Sequence, residues 1–523
     1  MIVVCTGIDH LRKLFREHRD ACHISRTEKS NTFDGGLRKR SFQQKTAWSP
    51  PGEIQMKTQD YKNALNPVAR LTSIFMLSAL IALAAGCGGG GSSIAAGPTP
   101  TPGAGATSTQ VRFGDAPADS VIAFEVSVSS LSLTPAGGGA AIAVPVPANN
   151  RIELTHASGK FEPFIAGNLP QGTFSAANLT LVNSELTFLS STGTAVHING
   201  PASSSISVPL SPSLTIGSGP LVLNIDVNVG ASITTAAGVV NGIAFTASSF
   251  NITSKAPGVA GNQQDDDGEI EDVQGTVTAV NGSSFTFKVG QTGSSMTFTT
   301  DATTQFKDGV TSVAGLLNQV VTVEGFTKSD GSLFAKEIEG LESNTGAEAE
   351  GLITAISGTT LTVTAQDGIG NGFDDTKIGA SFSVNIAGLN ASKFRVKAGN
   401  GFGGGLPSAT FPFSATTIHQ GQRIEVDTDV VMPPANGAIS PDKINLQQQG
   451  VSGVVANTAA STFDINLATD SALRTISGQT VVHVTKTAST DSRVTVANGG
   501  SVQVRGLLFW NGTSWQMIAR RIR

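Results

Sequence analysis

The 523-residue chain is rich in glycine (60 residues) and has only 14% charged residues, so it has room for several domains and little of the charge that long surface helices carry. Its net charge of −5 hides an asymmetry: residues 1–86 hold 13 Lys+Arg and 7 Asp+Glu, leaving 34 − 13 = 21 and 39 − 7 = 32 beyond them, a net of −11. An acidic body with scattered cations leads us to expect no nucleic acid partner, and the lack of cysteine after Cys87 excludes a disulfide framework or cysteine metal site there.

Residues 1–55 are basic and without hydrophobic period, and read as a mis-extended or disordered N-terminus with translation starting at Met56. Residues 56–86 read as a signal peptide: Lys57, Lys62 and Arg70 precede an apolar run from Ser73 to Ala85. That run is shorter than the roughly 20 residues a bilayer-spanning helix needs. It ends in Leu83-Ala84-Ala85-Gly86-Cys87, which resembles the bacterial lipoprotein signal, with Ala84 where Leu is commonest. The resemblance implies lipidation of Cys87, a membrane partner through the acyl chains, and a place in the cell envelope, at the outer membrane or cell surface. Residues 87–109, rich in Gly, Ser and Pro, read as a tether.

Residues 110–254 carry long period-two runs. Ile122, Phe124, Val126 and Val128 are expected on one face of a strand, and Leu221, Leu223, Ile225, Val227 and Val229 on one face of another. With turns such as Leu169-Pro170-Gln171-Gly172 between them, a β-sandwich is the expected fold. The stretches Phe113-Gly114-Asp115-Ala116-Pro117-Ala118-Asp119 and Asn168-Leu169-Pro170-Gln171-Gly172-Thr173-Phe174 resemble the family catalogued as domain of unknown function 4382. That resemblance implies an exported β domain and no particular chemistry.

Residues 255–273 read as an acidic linker, and a repeat follows. Gly275-Thr276-Val277-Thr278-Ala279-Val280-Asn281-Gly282 recurs as Gly351-Leu352-Ile353-Thr354-Ala355-Ile356-Ser357-Gly358, and in worn form from Gly453 to Ile465. Each copy reads as a hairpin. Three small β modules are expected, at 274–345, 346–449 (with a loop-rich insertion) and 450–523, barrel-like and OB-like because closure removes exposed strand edges. The first copy resembles the family catalogued as domain of unknown function 5666. The whole chain is thus expected to be all-β, a sandwich followed by barrels.

Calcium is the one cofactor candidate, at Asp265, Asp266, Asp267 and Glu269, because hard cations want several carboxylate oxygens. The EF-hand pattern fails there, since Gln263 and Gln274 occupy the first and last ligand positions. Asp367-Gly368-Ile369-Gly370-Asn371-Gly372-Phe373-Asp374-Asp375 reads as a Gly-rich turn, Asp115 and Asp119 as turn caps, and His156, His197, His419 and His483 as surface strand residues. Trp510 and Trp515 flank Asn511-Gly512 and are expected to pair across a hairpin. No nucleophile elbow, Walker loop or dinucleotide fingerprint occurs, so no catalytic residue is assigned. The expected function is a lipid-anchored envelope protein with non-catalytic binding or adhesion modules facing a glycan or envelope protein; a structural spacer and an envelope hydrolase with dispersed carboxylates are the alternatives.

Overall fold

The computed structural model describes residues 105–116, 120–147, 151–190, 192–236, 239–259, 264, 266–290, 293–341, 346–397, 411–433 and 436–523. All lie in one unit, Pro98–Arg523. Cys87, Asp119, Asp265, the signal segment and residues 87–104 lie outside the described residues, whereas Ala106 to Thr109, read in the sequence as the end of the tether, are the first residues of a strand. The fold is all-β: strands joined by short turns, with one six-residue α-helix.

The first region comprises β1 (Ala106–Ala116), β2 (Val121–Pro135), β3 (Ile142–Val144), β4 (Arg151–Glu153), β5 (Phe161–Pro170), β6 (Gly172–Leu189), β7 (Ala195–Asn199), β8 (Ser203–Ile216), β9 (Leu221–Asn228), β10 (Ile233–Ala236), β11 (Val239–Ile243) and β12 (Phe250–Lys255). One sheet runs β12-β9-β1-β5 and a second runs β3-β2-β6-β7, with β4 on β2 and β8 on β6. Apolar residues of both sheets, among them Phe113, Phe124, Val128, Phe174, Leu181, Leu223 and Ile225, form one core between them. β1 and β9 pair in parallel, unlike the antiparallel pairing of most neighbours. The alternation in β2 is interrupted by several register shifts against β6. Phe124, Val126 and Val128 enter the sandwich core, but a register shift between Val121 and Ala123 sends Ile122 to a separate cluster with Leu189, Ala472 and Ile476.

The other face of the β12-β9-β1-β5 sheet is polar but buried: Gln110 is 2% exposed, Arg112 0% and Asn224 0%. The barrels cover it. Thr327 donates to Gln110 at 2.6 Å, and Arg112 donates to the backbone of Glu269.

Three barrel modules follow. The first has β13 (Glu269–Asn281), β14 (Ser284–Val289), β15 (Ser295–Thr299), β16 (Gln305–Lys307), β17 (Val320–Thr327) and β18 (Leu333–Gly340). β13 pairs with β14 and β17, β14 with β15, and β17 with β18, while a parallel pairing of β15 with β18 closes the ring. The last module, β26 (Gln448–Ala456), β27 (Thr462–Asn466), β28 (Val481–Ser492), β29 (Ser501–Trp510) and β30 (Trp515–Ile522), is a closed barrel with the same pairings, including the parallel β28–β30 contact. This is the strand order of a five-stranded Greek-key barrel of OB type.

The middle module has β19 (Ala347–Ser357), β20 (Thr360–Gly370), β21 (Ser381–Asn385), β22 (Phe394–Val396), β23 (Arg423–Thr428), β24 (Ala438–Ile439) and β25 (Lys443–Leu446). Here the fifth strand is broken: β24 pairs with β21 and β25 with β23. The pairings of Gly275 with Val321, Gly351 with Ile424 and Gly453 with Val502 align the fourth strands of the three modules. Gly325 and Gly506, at register shifts in modules one and three, then correspond to Thr428 in the middle module, where the strand runs without a shift. Residues Glu269 to Asp272, read in the sequence as part of a linker, are the first residues of β13.

A buried polar seam and a three-domain cavity

The connection from β4 to β5, Leu154 to Lys160, is where the sandwich meets the barrels. It is a tight turn, with Ser158 N–H donating to Thr155 O at 3.2 Å and Lys160 N–H to Ala157 O at 3.0 Å. Gly159 has φ +74°, and a Cβ there would come within 3.1 Å of Arg505, so the turn sits directly on the last barrel. Arg505 Nη1 donates to Ser158 O and Arg521 Nη1 to Gly159 O, each at 2.7 Å. A segment bridged to β1 only through Ser158 and Asp115 thus has its carbonyls satisfied by arginines.

The turn carries His156 and Lys160, which are 2% and 1% exposed. His156 Nδ1 pairs with Glu162 and lies 3.4 Å from Asp367; its Nε2 lies 3.4 Å from Glu350 and 3.4 Å from Lys160 Nζ. Lys160 Nζ is 2.9 Å from Glu162, and Arg423 is 2.6 Å from Glu350. The middle barrel therefore sends Glu350, Asp367 and Arg423 into the sandwich's turn, and Gln366 donates to Ile122 O at 2.6 Å.

Burial works against a charge on His156, but the carboxylates of Glu162 and Glu350 outweigh it and hold its pKa up at about 9. Burial likewise works against Glu162, yet His156 and Lys160 hold it well below the usual carboxylate range. Burial pushes Glu153 up to about 7 against hydrogen bonds from Thr155 and the Phe124 and His156 backbones, and pushes Asp367 up to about 6. The seam continues between the barrels. Lys397 lies 2.7 Å from Glu425 and 3.1 Å from Asp272, Lys443 lies 2.8 Å from Asp427, and Arg521 lies 3.0 Å from Glu269 and 3.2 Å from both Glu271 and Asp491.

Against this seam lies a cavity of about 100 Å³. The sandwich contributes Phe113, Phe164 and the polar floor of Glu153, His156 and Glu162; the first barrel contributes Val273 and Ser294, and the middle barrel Asp367 and Phe373. Two sets of side chains among the described residues converge closely enough to hold an ion: His156, Asp272 and Glu350, and Glu348, Glu350 and Glu425. In the first, the Lys160 ammonium already stands beside His156 Nε2.

The residues singled out in the sequence are scattered over this frame. Asp266 pairs with Lys255 and lies 3.4 Å from Arg493, Asp267 accepts from the Gln264 N–H at 2.6 Å, and Glu269 faces Arg520 at 2.8 Å, so these acids are turned to separate partners. Asp115 is 0% exposed on β1 and not a surface turn cap; burial and the neighbouring Asp226 push its carboxyl well above the usual range. Asp367 joins the seam, whereas Asp374 accepts from the Thr376 N–H at 3.0 Å. His156 is the exception to the surface reading of the histidines, because its turn is covered by the barrels. His197 and His483 are half exposed, and His419 packs 4.2 Å from Trp510. Trp510 and Trp515 pair across the β29–β30 hairpin with ring centroids 5.1 Å apart.

The first barrel also defines the family match: residues 274–339 match the family described as Domain of unknown function (DUF5666). No curated protein matches the chain. Among solved structures the chain is similar to one described as a multidomain protein with nucleic acid binding domains from Streptococcus pneumoniae TIGR4, at 11% identity and a TM-score of 0.10, covering 47% of this chain and 72% of that one. Neither match names an enzyme. The expectation of no nucleic acid partner is corrected by this neighbour, although a likeness at that TM-score carries no argument about what the present chain binds. The exclusion rested on an acidic body with scattered cations, and where Lys328 and Lys336 do share a recess of the first barrel, Asp301 and Asp330 line it with them.

Proposed function

We propose that the chain is a lipid-anchored cell-envelope protein whose sandwich and three barrels act as one non-catalytic binding body. The observation that carries this reading is the three-domain cavity: apolar walls with a few convergent polar groups at a domain junction are where small ligands bind. The ligand favoured is a small organic cation. Asp367 is the floor carboxylate with most access, its side chain 26% exposed, while Glu153 and Glu162 are spent on internal partners. Binding is favoured over catalysis because both ring nitrogens of His156 already face charged side chains. A spacer of interchangeable modules is disfavoured, because Glu350, Gln366 and Arg423 of the middle barrel are wired into the sandwich's turn. The anchor rests on the lipoprotein-like signal before Cys87 and on the resemblance of the sandwich to an exported domain family.

The test has two arms on the full chain. Labelled palmitate is incorporated in the producing bacterium and lost in Cys87→Ser; label persisting in that variant removes the anchor. Ethanolammonium stabilises the purified chain in a thermal melt where acetate at equal ionic strength does not, and Asp367→Asn abolishes the difference. Equal response to both salts removes the cationic ligand.

A further inference from the structure

Two successive cross-strand pairs between β19 and β23 set acid against acid: Glu350 faces Glu425 and Glu348 faces Asp427. Like charges directly opposite each other on neighbouring strands repel, and these are buried, at 6% exposure for Glu348, 1% for Glu350, 1% for Glu425 and 5% for Asp427. The nearby cations do not balance them. Glu348, Glu350, Glu425, Asp427 and Asp272 are five carboxylates, and Arg423, Lys397, Lys443 and the His156 imidazole are the four cations in contact with them, leaving one carboxylate in excess. Oxygens of Glu348, Glu350 and Glu425 lie within 4.8 Å of one another.

A second observation comes from the other barrel. Gln274 of β13 is 4% exposed and donates through Nε2 to Glu348 Oε1, while its own Oε1 is buried without a hydrogen-bond partner. Glu350 Oε1 is also buried and unpartnered, its Oε2 being held by Arg423. Buried carbonyl and carboxylate oxygens left unsatisfied are costly. An oxygen-seeking cation at this point would satisfy both and supply the missing positive charge. Both oxygens of Glu425 are held in place by donors, Oε1 by Asn445 and Oε2 by Lys397 and Gln447. Such outer contacts are what fix metal-ligating carboxylates.

We propose that Glu348, Glu350, Glu425 and the side-chain carbonyl of Gln274 form a site for a hard divalent cation, calcium, that fastens the first barrel to the middle one. Calcium is favoured over magnesium because it accepts an irregular all-protein cage of oxygens, whereas magnesium demands near-octahedral geometry and keeps its waters. The site is separate from the acids singled out near Asp266, and it adjoins the cavity beside Asp367, whose wall includes Gln274.

The test is a thermal melt of the purified full chain, stripped with EDTA and then given millimolar calcium chloride. Calcium raises the melting temperature by a few degrees, through binding the folded state alone. The rise disappears in Glu348→Gln and persists in Glu339→Gln, which removes a carboxylate 3.8 Å from Lys397 but outside the proposed ligands. No rise in the wild-type chain, or the same rise in Glu348→Gln, overturns the proposal. Should Glu348→Gln not fold, equilibrium dialysis with radioactive calcium decides: one ion bound per chain and loss of binding in Gln274→Met support the site, and no bound ion, or full binding in Gln274→Met, rejects it.

Discussion

The interiors of the barrels and the seam between them are built by opposite means. Inside the first barrel Phe285, Phe287 and Phe298 pack with ring centroids 5.6–6.4 Å apart, among Val277, Val321 and Ile338, with no charged side chain in the cluster. Outside it, Arg112, Arg521 and Lys160 are held nearly as far from water, each by ion pairs or backbone carbonyls. An apolar interior is tolerant, because it asks only for volume and shape. The seam is exacting, because each charge there depends on a partner from another domain. The difference teaches that the first barrel's interior is complete in itself while its placement depends on complementary charge, whereas the middle and last barrels also share an apolar contact through Leu507, Phe509 and Ile518.

That contrast predicts a pH profile, and its collective effect is the largest expected. Burial holds protons on Glu153 up to about pH 7 and on Asp367 up to about 6 in the folded chain, against ordinary values of 4.5 and 3.8. The folded state therefore binds these protons more tightly, and stability falls as pH rises from about 4.5 towards 7. His156, raised from 6.5 to about 9, contributes stability that is complete below 6.5 and lost as pH passes 9. Glu162 and Glu350, held well below the usual range, contribute stability that is lost as pH falls below 4.5. Melting temperature should then peak near about pH 5 and decline steadily to pH 9. A chain that melts higher at pH 8 than at pH 5 would refute the balance of charges described for the seam.

Next in size is a single deletion from the seam. Arg521 is 1% exposed and faces Glu269, Glu271 and Asp491 while donating to Gly159 O. Arg521→Ala leaves Gly159 O without its donor and leaves the half-buried acids to Arg520, Arg505 and Arg493, at a cost of about 2–3 kcal/mol in denaturant unfolding. If the loss is confined to docking, the unfolding curve also separates into more than one transition, since the barrel core does not include this side chain.

Much of the interior was legible in the sequence and little of the seam was. The repeat starting at Gly275, Gly351 and Gly453 marks the first strand of each barrel, and the corresponding Phe285, Leu361 and Phe463 lie inside. Glu348, Glu350, Glu425 and Asp427 alternate with core residues along β19 and β23, on the outward face, where a single strand reads as solvated. What buries them is another domain, and a period along one strand carries no information about its outer neighbour. His156 was read as exposed for the same reason, although Gly159 and Lys160 after it hinted at a fixed turn. Ile122 escaped because a register shift within β2 is invisible to an alternation count.

The smallest effect expected tests the interior. The repeat glycines sit where the first two strands of each barrel cross closely: a Cβ on Gly275 would lie 2.2 Å from Lys288 O, on Gly351 2.3 Å from Thr364 O, and on Gly453 2.3 Å from Asn466 O. The obstacle is backbone, so it cannot swing aside. Gly275→Ala should cost about 1–3 kcal/mol in chemical denaturation. Gly282, at the tip of the same hairpin, has φ +57° and open space around its Cβ position. It is needed only for a left-handed turn, which Asn also adopts. Gly282→Asn should therefore be nearly neutral while Gly275→Asn is worse than Gly275→Ala, because one position refuses a conformation and the other refuses any side chain. Equal losses for Asn at both positions would mean that turn geometry, and not strand crossing, fixes the repeat, and the correspondence of Gly275, Gly351 and Gly453 would lose its steric basis.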